Sequence, residues 1–286
     1  MKIYSYRAPR GNLGDDLNHW LWPRVLQSDF LQRPGVFMGI GSVIHAAHFE
    51  QLPRERPLYI FGAGCRSARD PFEGVAIKKK IVMVRGPLSA QALHLSSDFA
   101  GLDAAYALQF TSEYPQLRSL PKKHGVTLIP YFRSGPLVHY PSVGSLKRWN
   151  IMRSDEYGSM SKALQTIAES QFVLTESLHG AIIADALRVP WMRLWYYLDR
   201  PADQETGRFK WADWQQSLDI EHIPTLQIPL DFPAWVAGKK GSVLKPWRTL
   251  RYLQYARIRE KFTLSKEARW KEASQMLEYQ LKELQQ

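Results

Sequence analysis

The feature that most narrows the fold is a recurring unit in which a short apolar run stops at a glycine and gives way to a helical or turn-rich stretch. Val36-Phe-Met-Gly-Ile40 ends in Gly41-Ser42, Leu58-Tyr-Ile-Phe61 in Gly62-Ala-Gly64, and Ile81-Val-Met-Val84 in Arg85-Gly-Pro87. Apolar runs this short, bounded by turn residues, fit strands covered on both faces. Lys2-Ile-Tyr-Ser-Tyr6 reads as an earlier strand. A turn containing Pro9, Gly11, Asn12 and Gly14 follows, and then a helix through Trp20, Leu21, Val25 and Leu26 that Asp15 or Asp16 can cap. A break rich in proline and lysine occupies 112–123, after which the pattern restarts. Segments 125–129, 171–174 and 190–197 read as strands, and 156–170 and 178–187 as helices. Strands alternating with helices predict a mostly parallel sheet in an α/β protein. Two Rossmann-like lobes with a central cleft follow, ligands sitting at the carboxyl ends of strands. The expected divisions are 1–118, 119–236 and a basic helical tail at 237–286.

Composition excludes several classes. With 45% hydrophobic residues, 10 Trp, 13 Tyr and 12 Phe, the chain can bury a large core. Cys65 is the single cysteine, so no intrachain disulfide forms. The start lacks an apolar stretch of signal-peptide length, and no run is long enough to span a bilayer. Cytoplasm is the expected location. The net charge of +11 is uneven: 239–286 holds 12 Lys/Arg against 5 Asp/Glu, or +7, and the remainder 26 against 22, or +4. A tail of this sign favours an anionic surface, such as lipid headgroups at the inner face of a membrane. Its partial stripes, Leu250, Leu253, Arg257, Ile258 and then Met276, Leu277, Leu281, Leu284, fit either helices packed on the body or a segment at the membrane surface. No RNA- or DNA-binding motif accompanies the charge, so no nucleic-acid partner is expected.

Four strand-end segments carry the candidate chemistry. In Gly11-Asn-Leu-Gly-Asp-Asp-Leu-Asn18, the loop and helix start bring Asn12, Gly14, Asn18 and a carboxylate to the strand ends, where Asp15 or Asp16 could act as a base toward a hydroxyl. In Thr175-Glu-Ser-Leu-His-Gly180, a strand ends and a helix opens, so Ser177, His179 and the Gly180 amide gather at a positive helix end suited to phosphate or carboxylate. Arg85 offers a bidentate fork for an anion. The turns at 39–42 and 62–64 lack the spacing of a dinucleotide fingerprint, which disfavours nicotinamide. His45 and His48 have metal-ligand spacing but no third ligand nearby, so no metal is expected. Neither a P-loop nor a GxSxG elbow is present.

Seven segments in order resemble the polysaccharide pyruvyl transferase family, in particular its bacterial exopolysaccharide ketal-pyruvyl branch. They are GNLGDDLN (11–18), VFMGIGSVI (36–44), YIFGAGC (59–65), VRGPLSA (84–90), LDAAYAL (102–108), SLHGAIIADALRVP (177–190) and FKWADW (209–214). The resemblance covers about residues 1 to 220. It implies a GT-B-like fold and phosphoenolpyruvate as co-substrate, with no further cofactor. It also implies a pyruvate ketal formed across two hydroxyls of a saccharide, commonly lipid-linked. On matched positions, it implies Arg85 for donor binding, His179 as acid or phosphate ligand, and Asp15 or Asp16 as base. A further basic donor residue is expected beyond the histidine motif; Lys210 is preferred to Arg208 and Arg193. Asp103 stands where the family pattern has Gly-Asp-Pro-Ala but is followed here by Ala-Ala. The competing class is a nucleotide-sugar glycosyltransferase on the same kind of fold.

Overall fold

The computed structural model describes residues 1–6, 8–9, 11–53, 55–132, 149–153, 158–196, 201–228 and 262–286. The strands are β1 (Lys2–Tyr4), β2 (Val36–Met38), β3 (Leu58–Phe61), β4 (Lys79–Met83), β5 (His124–Ile129), β6 (Trp149–Ile151), β7 (Ser170–Thr175), β8 (Trp191–Tyr196) and β9 (Thr225–Ile228). The helices are α1 (Leu13–Val25), α2 (Ser28–Gln32), α3 (Ala46–Phe49), α4 (Pro87–Ala92), α5 (Tyr114–Ser119), α6 (Met160–Ala168), α7 (Leu178–Ala186), α8 (Pro201–Ser217) and α9 (Glu267–Gln285). Two short 3₁₀ segments lie at Ser97–Phe99 and Ala104–Phe110. Among the described residues, no helix is long and apolar enough to cross a membrane.

The chain forms two compact units. The first comprises Met1–Pro115, Pro201–Glu221 and Ser265–Gln286, and the second Gln116–Arg200 and His222–Leu264. Both sheets are parallel throughout, ordered β1-β2-β3-β4 in the first unit and β6-β5-β7-β8-β9 in the second. The α/β expectation is therefore met twice over in one chain. The opening run of the first unit ends at Pro115. The segment 119–236, however, is not one block, because α8 returns to the first unit. There Trp211 and Trp214 are buried, and the Trp214 indole N–H donates to Tyr106 Oη at 3.3 Å. Packing of two large aromatic rings outweighs proximity in sequence.

In the first unit, the alternation of side chains along each strand separates two apolar layers. Val36 and Met38 join Ile60, Val43, Ile44 and Phe49 in one cluster. Phe37 faces the other way, where Trp22 meets it edge-on with ring centroids 4.9 Å apart. Asn18 pins this second layer. It is fully buried on α1, its Oδ1 accepts from Trp22 Nε1 (2.8 Å) and from the Ile40 amide (2.9 Å), and its Nδ2 donates to the Ile40 carbonyl (3.1 Å). Asn18→Leu strips partners from an indole N–H and from both backbone groups of Ile40. An orphaned buried group costs about 1–3 kcal/mol. A loss of about 3 kcal/mol in urea unfolding is expected for this variant, and a loss under about 1 kcal/mol would show that the pin is dispensable.

The terminal helix also belongs to the first unit. Leu277, Leu281 and Leu284 are buried, whereas Met276, read as part of the same stripe, is 54% exposed. From 267 onward this helix carries Arg269, Lys271 and Lys282 against Glu267, Glu272, Glu278 and Glu283. The basic excess thus lies in 239–266. Most of that stretch, with the stripe at Leu250–Ile258, is outside the described residues.

The second unit is built around α7. All nine residues of α7 are buried, and its small and apolar side chains on every side suit an interior helix. α6 begins later than the predicted 156, at Met160, where Ser159 caps it by accepting from the Lys162 amide (3.3 Å).

Candidate functional site

Arg85 leaves the end of β4 and turns inward. It is fully buried: Nε donates to Asp213 Oδ2 at 3.0 Å, Nη1 to Ser42 Oγ at 2.9 Å and Nη2 to the Cys65 carbonyl at 3.1 Å. Asp213, equally buried on α8, also accepts from the Ser89 amide (2.9 Å) and hydroxyl (2.5 Å). One guanidinium therefore ties the loops after β2, β3 and β4 to α8. Two glycines make room for this network. A Cβ on Gly64 would lie 2.2 Å from Arg85 Cζ, and one on Gly86 2.2 Å from the Asp213 carbonyl oxygen. The ion pair was missed in the sequence because its partners are 128 residues apart, although both segments, VRGPLSA and FKWADW, had been singled out. Cys65 is a buried free thiol whose pKa burial pushes up to about 12, which keeps it protonated. Lys210, half-buried, and Arg208, exposed, lie on the same helix as Asp213.

The two aspartates of the first loop are separated by environment. Asp16 accepts the backbone N–H of Asn12 at 3.0 Å and so serves the start of α1. Asp15 is buried, accepts from the Asn12 side-chain amide, and lies beneath the turn after β2. A Cβ on Gly41, whose φ is +115°, would come within 3.2 Å of Asp15 Oδ1. Gly14, buried in the first turn of α1, and Asn18 are occupied in packing this end of the helix. Asp103, also fully buried, caps the 3₁₀ segment at Ala104–Phe110 by accepting from the Ala105 amide (3.0 Å).

Asp15 acts electrostatically on Tyr4, a pairing of segments that the sequence does not disclose. Tyr4 Oη lies 2.7 Å from His48 Nδ1. Burial and the charge of Asp15 raise the Tyr4 pKa, so the phenol keeps its proton and donates. His48 is lowered to about 4, first by burial and then by Arg66 and His45. Its imidazole is therefore neutral near pH 7, with Nδ1 accepting and the proton on Nε2. His45, the other half of the weighed metal pair, instead caps α3, its Nδ1 accepting from the Ala47 amide at 3.3 Å. The pH consequence has a definite sign. Between the ordinary histidine value of 6.5 and about 4, the unfolded chain binds a proton that the folded chain refuses. Stability contributed by His48 is thus complete above about 6.5 and declines as pH falls toward 4. Denaturation midpoints measured over this range should show a shallower acid decline in His48→Gln than in the parent; identical slopes would contradict this.

In the second unit, the turn between β7 and α7 is organised by Thr175. Its hydroxyl accepts from the Ser177 amide (3.0 Å) and lies 2.9 Å from the Ser177 carbonyl and 3.2 Å from that of Ile129. Gly180 sits against it so closely that a Cβ would fall 2.3 Å from Thr175 Oγ1. Ser177 is the N-cap residue of α7 and His179 its second residue, both more than nine-tenths buried. Glu176, immediately before Ser177, reaches across to accept the Tyr131 amide (2.9 Å) and links the loops after β5 and β7. On β8, Arg193 is paired in register with Thr175, its guanidinium 4.2 Å from the centre of the Trp195 ring. Of the basic residues weighed for the donor, Arg193 is the one in the same unit as His179; Arg85, Arg208 and Lys210 belong to the first unit.

Two parallel α/β units, the second with a buried serine and histidine where a helix opens at a strand end, place polar groups where such sheets bind ligands. The sequence model of the family described as polysaccharide pyruvyl transferase matches residues 37–197, more than half of the chain, and the protein belongs to that family. It is 29% identical over 225 residues to the succinoglycan biosynthesis protein ExoV of Rhizobium meliloti (strain 1021), covering 78% of this chain and 67% of that one. No solved structure matches.

Proposed function

We propose that the protein moves the enolpyruvate-derived group of phosphoenolpyruvate onto two hydroxyls of a saccharide, forming a pyruvate ketal during exopolysaccharide synthesis. The observation that carries this reading is the buried turn at Ser177–Gly180, where a helix opens beyond a strand end with an imidazole in its first turn. Family membership and the similarity to ExoV, a succinoglycan biosynthesis protein, supply the reaction class and the polysaccharide setting.

The donor carries a carboxylate and a phosphate, which call for amides and cations. Ser177, His179 and the Gly180 amide take one anionic group, and Arg193 is added here as a cation of the same unit. Lys210 is kept as a second donor cation. Arg85 is reassigned: its three fixed partners make it a positioning residue for the strand-end loops. Chemically, an acid, His179, delivers a proton to the methylene carbon and leaves an oxocarbenium-like centre at C2. A sugar hydroxyl, deprotonated by Asp15, bonds to C2. The C–O bond to phosphate breaks, and a second hydroxyl closes the ketal. Of the two hydroxyl protons, one balances the proton given to the methyl group and the other leaves with phosphate. Asp15 is preferred to Asp16 because Asp16 holds the helix start. The acceptor is taken to be lipid-linked and met at the cytoplasmic face of the membrane, with the basic stretch 239–266 favouring that surface.

The test is incubation with phosphoenolpyruvate and saccharide acceptors, following phosphate release together with the pyruvate methyl signal of the sugar product. Phosphate release that depends on the acceptor, with ketal formed, is the expected result. Thermal stabilisation by a nucleoside diphosphate but not by phosphoenolpyruvate would replace this reading with a glycosyltransferase.

A further inference from the structure

The site as described leaves unused a cluster at the carboxyl end of β1. Tyr4 and His48 are joined by a 2.7 Å hydrogen bond and meet edge-on, with ring centroids 5.6 Å apart. Tyr6, two residues further along, meets the same imidazole edge-on at 6.2 Å and is 43% exposed, one of three large hydrophobic side chains exposed to that degree among the described residues. His45 lies 6.0 Å from His48, ring centre to ring centre. Arg66 is close enough to both imidazoles to disfavour their protonation. Asp15 acts electrostatically on Tyr4. Two aromatic rings, two imidazoles, a guanidinium and a carboxylate thus gather at the end of a parallel strand, where such sheets bind ligands.

A structural account explains only part of this. The Tyr4–His48 bond fastens α3 to β1, but that role needs neither an exposed ring on Tyr6 nor a second imidazole and a guanidinium beside it. The chemistry suits a pyranose. Aromatic rings offer an apolar body with a polar tip, able to cover the C–H face of a sugar, and neutral imidazoles with a guanidinium offer hydrogen bonds to ring hydroxyls. We infer that Tyr6, His48, His45 and Arg66 form a subsite for the acceptor saccharide, with Tyr4 as the positioning residue that fixes the His48 ring. This rests on the reading of Asp15 as the base, since it would lead an acceptor hydroxyl to that carboxylate.

The experiment uses the full chain labelled with ¹³C-histidine. Its eight histidine resonances are assigned by single His→Gln substitutions. Methyl β-D-glucopyranoside and methyl β-D-galactopyranoside are titrated separately from phosphoenolpyruvate. A saturable shift of the His45 and His48 signals by at least one pyranoside is expected. Tyr6→Ala, a change at an exposed position, should weaken that titration about tenfold and leave the response of His179 to phosphoenolpyruvate intact. If neither pyranoside moves His45 or His48, or if Tyr6→Ala titrates like the parent, the subsite is overturned. Failure of the donor reading looks different: phosphoenolpyruvate then leaves His179 unmoved whatever the sugars do.

Discussion

Replacing Asp213 with Ala is expected to destabilise the protein by about 3–5 kcal/mol, the cost of leaving a buried charge without its partner. Arg85 and Asp213 are both fully buried, and the carboxylate receives the Arg85 Nε–H and both donors of Ser89. With the carboxylate gone, the guanidinium keeps Ser42 and the Cys65 carbonyl, neither of which carries a compensating charge. The pair also holds α8 against the strand-end loops, so the loss should appear as a lower midpoint in urea unfolding rather than as local fraying. Arg85→Met combined with Asp213→Leu should lose much less than the two single changes summed, because an apolar pair of similar volume removes the stranded charge. A cost for Asp213→Ala of about 1 kcal/mol or less, typical of exposed pairs, would mean that water reaches the guanidinium.

His179→Ala should reduce acceptor-dependent phosphate release by about 10²–10⁴-fold, the range for removal of a general acid or base. The imidazole is more than nine-tenths buried on a helix that is itself interior, so truncation also leaves a cavity. His179→Gln, which preserves most of the volume, separates the two effects. If both variants remain folded by thermal unfolding and both fall in kcat, the imidazole acts on the reacting atoms. A rise in KM for phosphoenolpyruvate with kcat retained would assign it to phosphate binding alone. Turnover equal to the parent in His179→Gln would remove it from the chemistry.

The two halves of the proposed site were unequally visible in the sequence. The turn at 175–180 was legible because its determinants are local: a strand of β-formers, a serine before the helix, a glycine where Thr175 packs, all between Ser170 and Gly180. Asp15 and Asp16 were both nominated from the same local pattern, and only their surroundings separated them. Arg85 was recognised as important from its place after a strand, but whether its guanidinium faced ligand or core depended on Asp213, far along the chain. Tyr4 and Arg66 carry no local signal, and His48 stands out only for its spacing from His45. They come from three separate segments that a strand, a helix and a loop bring together.

By itself the sequence determined the alternation of strands and helices, the parallel sheets and the membership of a pyruvyl-transferring family, since periodicity and short motifs are properties of neighbouring residues. Tertiary structure decided that α8 and α9 return to the first unit, that Arg85 is locked inward, and that Asp15 rather than Asp16 is spared capping duty. The reason is physical. A buried charge or hydrogen-bonding group must find its partner wherever the folded chain supplies one, and spacing along the sequence carries no record of that meeting.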